Sequence, residues 1–353
     1  MYIEIQPTSD GSVMNLKKIF TISITVIIFL IIAVVTFLLQ PSGHVQDFQK
    51  WIYQPDHKQQ NLENQKVLPN QLTVRFFGVS TLLFDDGKTQ ILIDGFFTRP
   101  SLSQILFKPV HSDPKLIAQI IQDYDLKRLN AVFTSHSHYD HALDIAELGI
   151  QQPVKIIGSE SSLNIARGGK VAEAQLQLIQ PMQSMQFGEF KVTSIPSQHT
   201  PPTAVNNDLG EIITHPLQQP ARFSEFKEGH SFDYLIEHAE QKILVKASTG
   251  IVPNQLKGIK VDTLFLGIAQ LSRQSPEYQQ QYLEQTIATV RPKVVIPIHW
   301  DNFWEPLPLN QPLDFLPYVA DNTSKSMQNL IDYAEKHHAQ VQLLTQPVAY
   351  PIQ

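Results

Sequence analysis

The longest apolar stretch in the chain is 19–39, which contains no charged residue and follows directly on Lys17 and Lys18. Its length matches the ~20 residues a helix needs to cross a hydrocarbon core. The positive-inside rule keeps the two lysines cytoplasmic and sends everything after Gln40 across the bilayer. A cleaved leader would show a shorter apolar core of ~7–15 residues followed by small residues. Here the run closes on Thr36-Phe37-Leu38-Leu39-Gln40-Pro41. The pattern therefore predicts a cytoplasmic tail at 1–18 and an uncleaved anchor at 19–39. Met14 opens a compact charged segment just before the run and offers a second start, which would make 1–13 an extension.

Residues 40–71 are rich in Gln, Asn and Pro, carry no sustained apolar period, and predict a juxtamembrane linker. Within them Trp51, Ile52 and Tyr53 either sit among lipid headgroups or pack on the domain that follows. From 72 onward, short β-prone runs alternate with amphipathic ones, which predicts one α/β domain over 72–353. Strands are expected at 72–77, 81–84 and 91–93, with Asp85-Asp86-Gly87 as a hairpin turn. Further strands are expected at 130–134, 154–158, 190–195, 231–236, 242–246, 261–267, 293–298 and 341–344. Helices are expected at 114–123, where Pro114 takes the first turn, and at 142–148, 161–166, 277–290 and 324–337. A polar connection follows 166, and 100–113 shows no clear period. The proline-containing stretch 200–227 reads as an irregular loop long enough to cover a site. The apolar, proline-rich stretch 306–317 suits a pocket wall or lid.

One stretch carries chemistry. Ser135-His136-Ser137-His138-Tyr139-Asp140-His141 sets three imidazoles and a carboxylate at the spacing His-x-His-x-Asp-His. The preceding apolar run ends at Ser135, so His136 and His138 project to one side of a strand end, and Asp140 and His141 open the next helix. Imidazole nitrogens suit zinc, and a carboxylate among them extends the choice to iron or manganese. Asp140 has a second use open to it, capping that helix with no metal role. Thirteen histidines in 353 residues cluster by chance now and then, but four ligand-type residues at this spacing rarely do.

This motif, together with the pattern from 72 to 316, resembles the metallo-β-lactamase fold superfamily. The resemblance implies an αββα four-layer sandwich and metal-dependent hydrolysis. It implies a first metal held by His136, His138 and His199, where His199 follows the strand 190–195. It implies a second metal held by Asp140, His141 and His299, where His299 follows the strand 293–298. Asp94 falls where family members keep an aspartate beneath the metals. A simple turn aspartate is its other reading. The resemblance fails at Ser248, because most two-metal members carry a bridging aspartate there and a hydroxyl is a much weaker ligand. Asp301, two positions beyond His299, would share its face on an extended backbone. It then replaces the bridging acid, or else lies behind the ligands or contacts substrate. His215 and His230 are expected in ordinary exposed roles, with contact to substrate as the alternative. Within the superfamily, Ile296-Pro297-Ile298-His299-Trp300-Asp301-Asn302-Phe303 is most similar to the branch of ascorbate-phosphate lactonases and N-acyl phosphatidylethanolamine phospholipases.

Composition narrows the function further. The chain has no cysteine, so disulfides and thiolate ligands are ruled out and any metal site is built from nitrogen and oxygen. A net charge of -6 argues against nucleic-acid substrates, whose phosphates select basic surfaces. A cation with an open coordination position lowers the pKa of water to ~7, giving a nucleophile near neutral pH without serine or cysteine. In this chemistry Asp140 orients the attacking water or passes a proton to the leaving group. The expectation is a membrane-anchored hydrolase with one or two Zn2+ (Mn2+ or Fe2+ as alternatives), exported to the periplasmic or extracytoplasmic side. Its substrate would be an ester, lactone or phosphodiester, small or lipid-like. The competing readings are an envelope protein that binds metal without catalysis and, with less support, a β-lactamase.

Overall fold

The computed structural model describes residues 11–55, 71–203 and 207–352. The expected starts at 1–10 and the linker segment 56–70 lie outside them. A first sheet contains β1 (Thr73–Phe76), β2 (Leu82–Asp85), β3 (Gln90–Ile93), β4 (Leu129–Phe133), β5 (Lys155–Gly158) and β6 (Leu176–Leu178). A second contains β7 (Ser184–Phe187), β8 (Phe190–Ser197), β9 (Ser231–His238), β10 (Gln241–Lys246), β11 (Thr263–Gly267), β12 (Val294–Ile298) and β13 (Gln340–Val341). The last strand, β14 (Tyr350–Pro351), returns to pair with β1, so the orders are β14-β1-β2-β3-β4-β5-β6 and β13-β12-β11-β10-β9-β8-β7.

Side-chain alternation builds the layers. Leu82, Phe84, Ile91, Ile93 and Phe133 face inward to a shared core with Val192, Tyr234, Ile236 and Phe265 of the second sheet. Phe84 meets Phe265 across it with ring centres 5.7 Å apart, and Phe133 meets Tyr234 at 5.4 Å. The intervening residues Leu83, Leu92, Val132 and Ile156 face the other way, into a second core. That core is closed by α3 (Pro114–Asp123), α5 (Ile145–Gln151) and α6 (Glu160–Gly168); α1 (Gly11–Leu39) and α2 (Leu102–Phe107) precede α3, and α4 (Tyr139–Ala142) lies between α3 and α5. The second sheet is flanked by α7 (Pro276–Leu283) and α8 (Thr323–Lys336), whose Tyr282, Leu330 and Ile331 join the first core. The result is a mixed α/β fold of two sheets with helices outside.

Strand direction explains where a site can form. β3, β4 and β5 run parallel, as do β10, β11 and β12. β8 and β10 are each antiparallel to β9 and so share a direction. The residues after β3, β4, β8, β10 and β12 therefore emerge from carboxyl ends, the usual location of functional loops.

Several expectations change. The helix after the metal motif is broken in two at Leu143 and Asp144. The buried Asp144 carboxylate accepts the Phe97 and Thr98 amides, both at 2.7 Å, and so ties the break to the loop after β3. The polar connection after 166 contains β6 and β7, edge strands of three and four residues whose alternation is too short to stand out in a polar stretch. The expected linker is not a free tether over its first part. Val45 and Phe48 are buried, the Tyr53 amide donates to the Leu343 carbonyl at 3.0 Å, and Trp51 donates to Glu335. Trp51, Ile52 and Tyr53 thus pack on the domain. At the end of α1, the Tyr318 and Val319 amides donate to the Gln40 and Leu38 carbonyls at 2.7 and 2.8 Å. Lys18–Leu39 within α1 is long and apolar enough to cross a membrane, and none of its residues is buried, which makes it a candidate span.

Candidate metal centre

β4 delivers the motif. After Phe133 the chain turns with Thr134 donating to the Ile157 carbonyl at 2.9 Å, and the next seven residues leave the sheet edge as a loop that runs into α4. His138 occupies the position before α4 with an extended backbone, so Asp140 and His141 lie in the first helical turn as expected.

Asp94 lies under this loop. Its backbone is left-handed, with φ 56, a conformation aspartate tolerates better than most residues. Its carboxylate accepts the Ser135 amide at 2.6 Å, the Ser135 hydroxyl at 2.8 Å, the Ser80 hydroxyl at 2.5 Å and the His141 Nδ1 proton at 2.8 Å. With Nδ1 donating, Nε2 of His141 carries the lone pair, so Asp94 sets both the tautomer and the direction of that ring.

The two distant histidines come back onto the motif. His199 lies two residues beyond β8, with its ring 4.6 Å from that of His136 and 4.7 Å from that of His138. Gly250 permits this approach: a Cβ there would stand 1.9 Å from the Gln198 carbonyl oxygen and 2.4 Å from that of His199. His299 follows β12 with φ 57, its amide donating to the Val79 carbonyl at 2.6 Å, and its ring lies 5.1 Å from that of His141. His136 and His141 are 3.8 Å apart ring to ring, which joins the two halves.

Two groups of potential ligand atoms result, His136 with His138 and His199, and Asp140 with His141 and His299. In each group the atoms lie within 4.8 Å of one another. Three buried ring nitrogens, His136 Nε2, His141 Nε2 and His299 Nδ1, have no hydrogen-bond partner among the described residues. A buried, unsatisfied polar atom is costly, so three in one cluster are the mark of atoms that await a cation. The residues present fit a divalent metal.

Electrostatics agree. Burial and then the surrounding imidazoles hold His136 and His199 well below the ordinary histidine range, hence neutral and able to donate lone pairs. Burial alone would raise the Asp140 carboxyl, but His141 and His299 outweigh it and keep the group well below the usual carboxylate range. Burial would lower His141, and Asp140 with Asp94 overcome it, so the net direction is upward.

Of the two readings open to Asp301, its contacts favour the one behind the ligands. The left-handed turn at His299 ends the extended backbone, and Asp301 points away from the ligand groups. It is fully buried, pairs with Arg99 at 2.8 Å and accepts the Val79 amide at 2.6 Å. It therefore cannot replace a bridging acid. It braces the Val79 carbonyl that in turn holds His299. Gly78 is glycine because a Cβ there would stand 1.9 Å from an Arg99 nitrogen. Ser248 is buried. His215 and His230 are exposed. Sequence reasoning missed Ser80, Arg99 and Asp208, the last of which meets His138. None stands in a periodic pattern, and only the proximity of Arg99 to Asp94 in the chain hinted at a role.

The chain is 22% identical over 241 residues to a metal-dependent hydrolase of Heliobacterium modesticaldum, covering 66% of this chain and 84% of that one. Among solved structures it is similar to Igni18, a metallo hydrolase from the archaeon Ignicoccus hospitalis. The TM-score is 0.50 with 15% identity, over 80% of this chain and 99% of that one. It is similar in fold to CmlA, a diiron beta-hydroxylase from Streptomyces venezuelae, with TM-score 0.50 and 12% identity, over 81% of this chain and 55% of that one. A profile of the beta-lactamase superfamily domain matches residues 89–300, more than half of the chain. The protein belongs to the beta-lactamase superfamily.

Proposed function

We propose that the protein is a metal-dependent hydrolase, anchored in a membrane by α1, that cleaves an ester, lactone or phosphodiester. The observation that carries this reading is the convergence of five imidazoles and one carboxylate with three buried ring nitrogens lacking partners. A bound divalent cation supplies Lewis acidity and makes water a nucleophile near neutral pH. Asp140, ionised and 3.5 Å from His299, orients that water or carries its proton to the leaving group. The all-nitrogen first group favours zinc. The carboxylate in the second keeps iron and manganese in play, and the diiron nature of CmlA lends iron some weight.

A lipid-like substrate is favoured by a cleft of about 230 Å³ lined by Leu39 at the end of α1, by Asn302, and by Pro306, Leu313 and Phe315 of the proline-rich loop. The same loop begins with Phe303, whose ring lies 5.7 Å from that of His299. One loop thus runs from the metal centre to the foot of the candidate span, and its apolar wall suits an acyl chain. With Lys17 and Lys18 preceding the span, the domain is assigned to the periplasmic or extracytoplasmic side.

The full-length protein in detergent, assayed for zinc, manganese and iron per chain and then on chromogenic phosphodiester, lactone, ester and lactam substrates, tests this. Turnover that chelation removes and metal restores supports it. Bound metal without turnover on any of the four would favour a binding protein. A Ser248→Asp variant that takes up one more metal per chain would identify the native centre as mononuclear.

A further inference from the structure

We propose that Asp208 is a positioning residue of the first metal group, fixing His138 for its ligand role from a loop far along the chain. The inference rests on the metal-centre reading above and deepens it. The first group, His136, His138 and His199, contains no carboxylate, and Ser248 stands where the family resemblance implies a bridging one. The described structure brings a carboxylate to this group from behind. Nε2 of His138 lies 3.0 and 3.1 Å from the two carboxylate oxygens of Asp208. With Nε2–H donating to Asp208, Nδ1 is the nitrogen left to join His136 and His199. A carboxylate on the far side of an imidazole fixes its tautomer, holds the ring in plane and makes the lone pair more basic.

The contact is built, since the loop bearing Asp208 is fastened to the motif itself. The Ser137 amide, between two ligands, donates to the Glu228 carbonyl at 3.0 Å, and the Ser137 hydroxyl donates to the Lys227 carbonyl at 2.5 Å. The Glu228 amide returns a hydrogen bond to Asp208 at 3.1 Å. The Glu228 carboxylate, itself buried, gathers the Gly210 and His230 amides and the Ser231 hydroxyl. Gly229, at φ 67, lets the loop come this close, because a Cβ there would stand 2.2 Å from the Ser137 hydroxyl oxygen. Asp208 thus does for His138 what Asp94 does for His141, and it restores to the first group a negative charge that its ligands lack.

The test is metal affinity, read without turnover. The full-length protein is stripped by chelation and titrated with zinc against a chromophoric competitor, and separately with cobalt(II), whose visible absorption reports ligand geometry. Wild type is compared with Asp208→Asn, Asp208→Glu and, as a loop control, Glu211→Gln. The expectation for Asp208→Asn is ~10–100-fold weaker binding of the tighter ion and an altered cobalt spectrum. Asp208→Glu should recover part of the loss, Glu211→Gln should show none, and the metal-free melting temperature of Asp208→Asn should match wild type. Unchanged affinity and spectrum in Asp208→Asn overturn the inference and leave the hydrolase reading intact. Loss of cooperative melting in metal-free Asp208→Asn also overturns it, by making the contact a folding element. If wild type takes up no metal, both readings fall together.

Discussion

The two halves of the metal centre are built in opposite ways. The second group sits on the rigid side: Asp94, fully buried, holds His141 with help from Ser80 and Ser135, and the buried Arg99–Asp301 pair braces Val79 against His299. The first group depends on a loop, since the carboxylate that meets His138 comes from Asp208, which is partly exposed and separated from the motif by 70 positions. The second group brings a carboxylate of its own in Asp140, whereas the first consists of imidazoles alone. One half is therefore pre-formed by the core, and the other is completed by a segment that packs onto it. Electrostatic preorganisation is strongest where the supporting shell cannot relax, so the second group should change least when metal leaves.

The difference can be broken from its strongest point downward. His136→Ala removes the ring that touches both halves, at 3.8 Å from His141 and 4.6 Å from His199. It should abolish metal-dependent turnover and the tighter metal equivalent, as measured by metal analysis and hydrolysis rates. Arg99→Met leaves Asp301 charged, buried and unpaired, which should cost about 3–5 kcal/mol in chemical unfolding and weaken the second group by releasing His299. A loss below 1 kcal/mol there would mean that the pair is not a brace. Asp94→Asn should lower metal affinity at the second group by ~10–100-fold while leaving cobalt spectra of the first group intact. If both halves weaken alike, the two are not separable. Ser135→Ala removes one of several donors to Asp94 and should cost only about 1 kcal/mol in stability, with little change in metal affinity.

These contrasts bear on how much of the molecule the chain discloses. The motif itself was legible because its ligands lie within six positions, where strand geometry and helix entry alone dictate how they point. Asp94, His199 and His299 were reached through family likeness, since each merely follows an apolar run. For Asp301 the sequence left two readings open, because sharing a face with His299 needs an extended backbone and the left-handed turn at His299 breaks it. Asp208 left no trace at all, because its partner lies in another part of the chain and its own loop has no period. The segment after Gln40 left its packing open for a related reason. Its composition is polar, yet Val45, Phe48 and Trp51 find apolar partners that only folding brings near.

By itself the order of residues determined the strands and helices with strong periods, the absence of sulfur ligands, the candidate span and the clustering of four ligand-type residues. All of these follow from short-range rules of spacing and chemistry. Tertiary structure decided which carboxylates stand behind the imidazoles, that Asp301 serves Arg99, and that α1 joins the domain through hydrogen bonds to Tyr318 and Val319. The physical reason is that hydrogen bonds and buried charge pairs are satisfied in space, between groups whose separation along the chain carries no information about their distance.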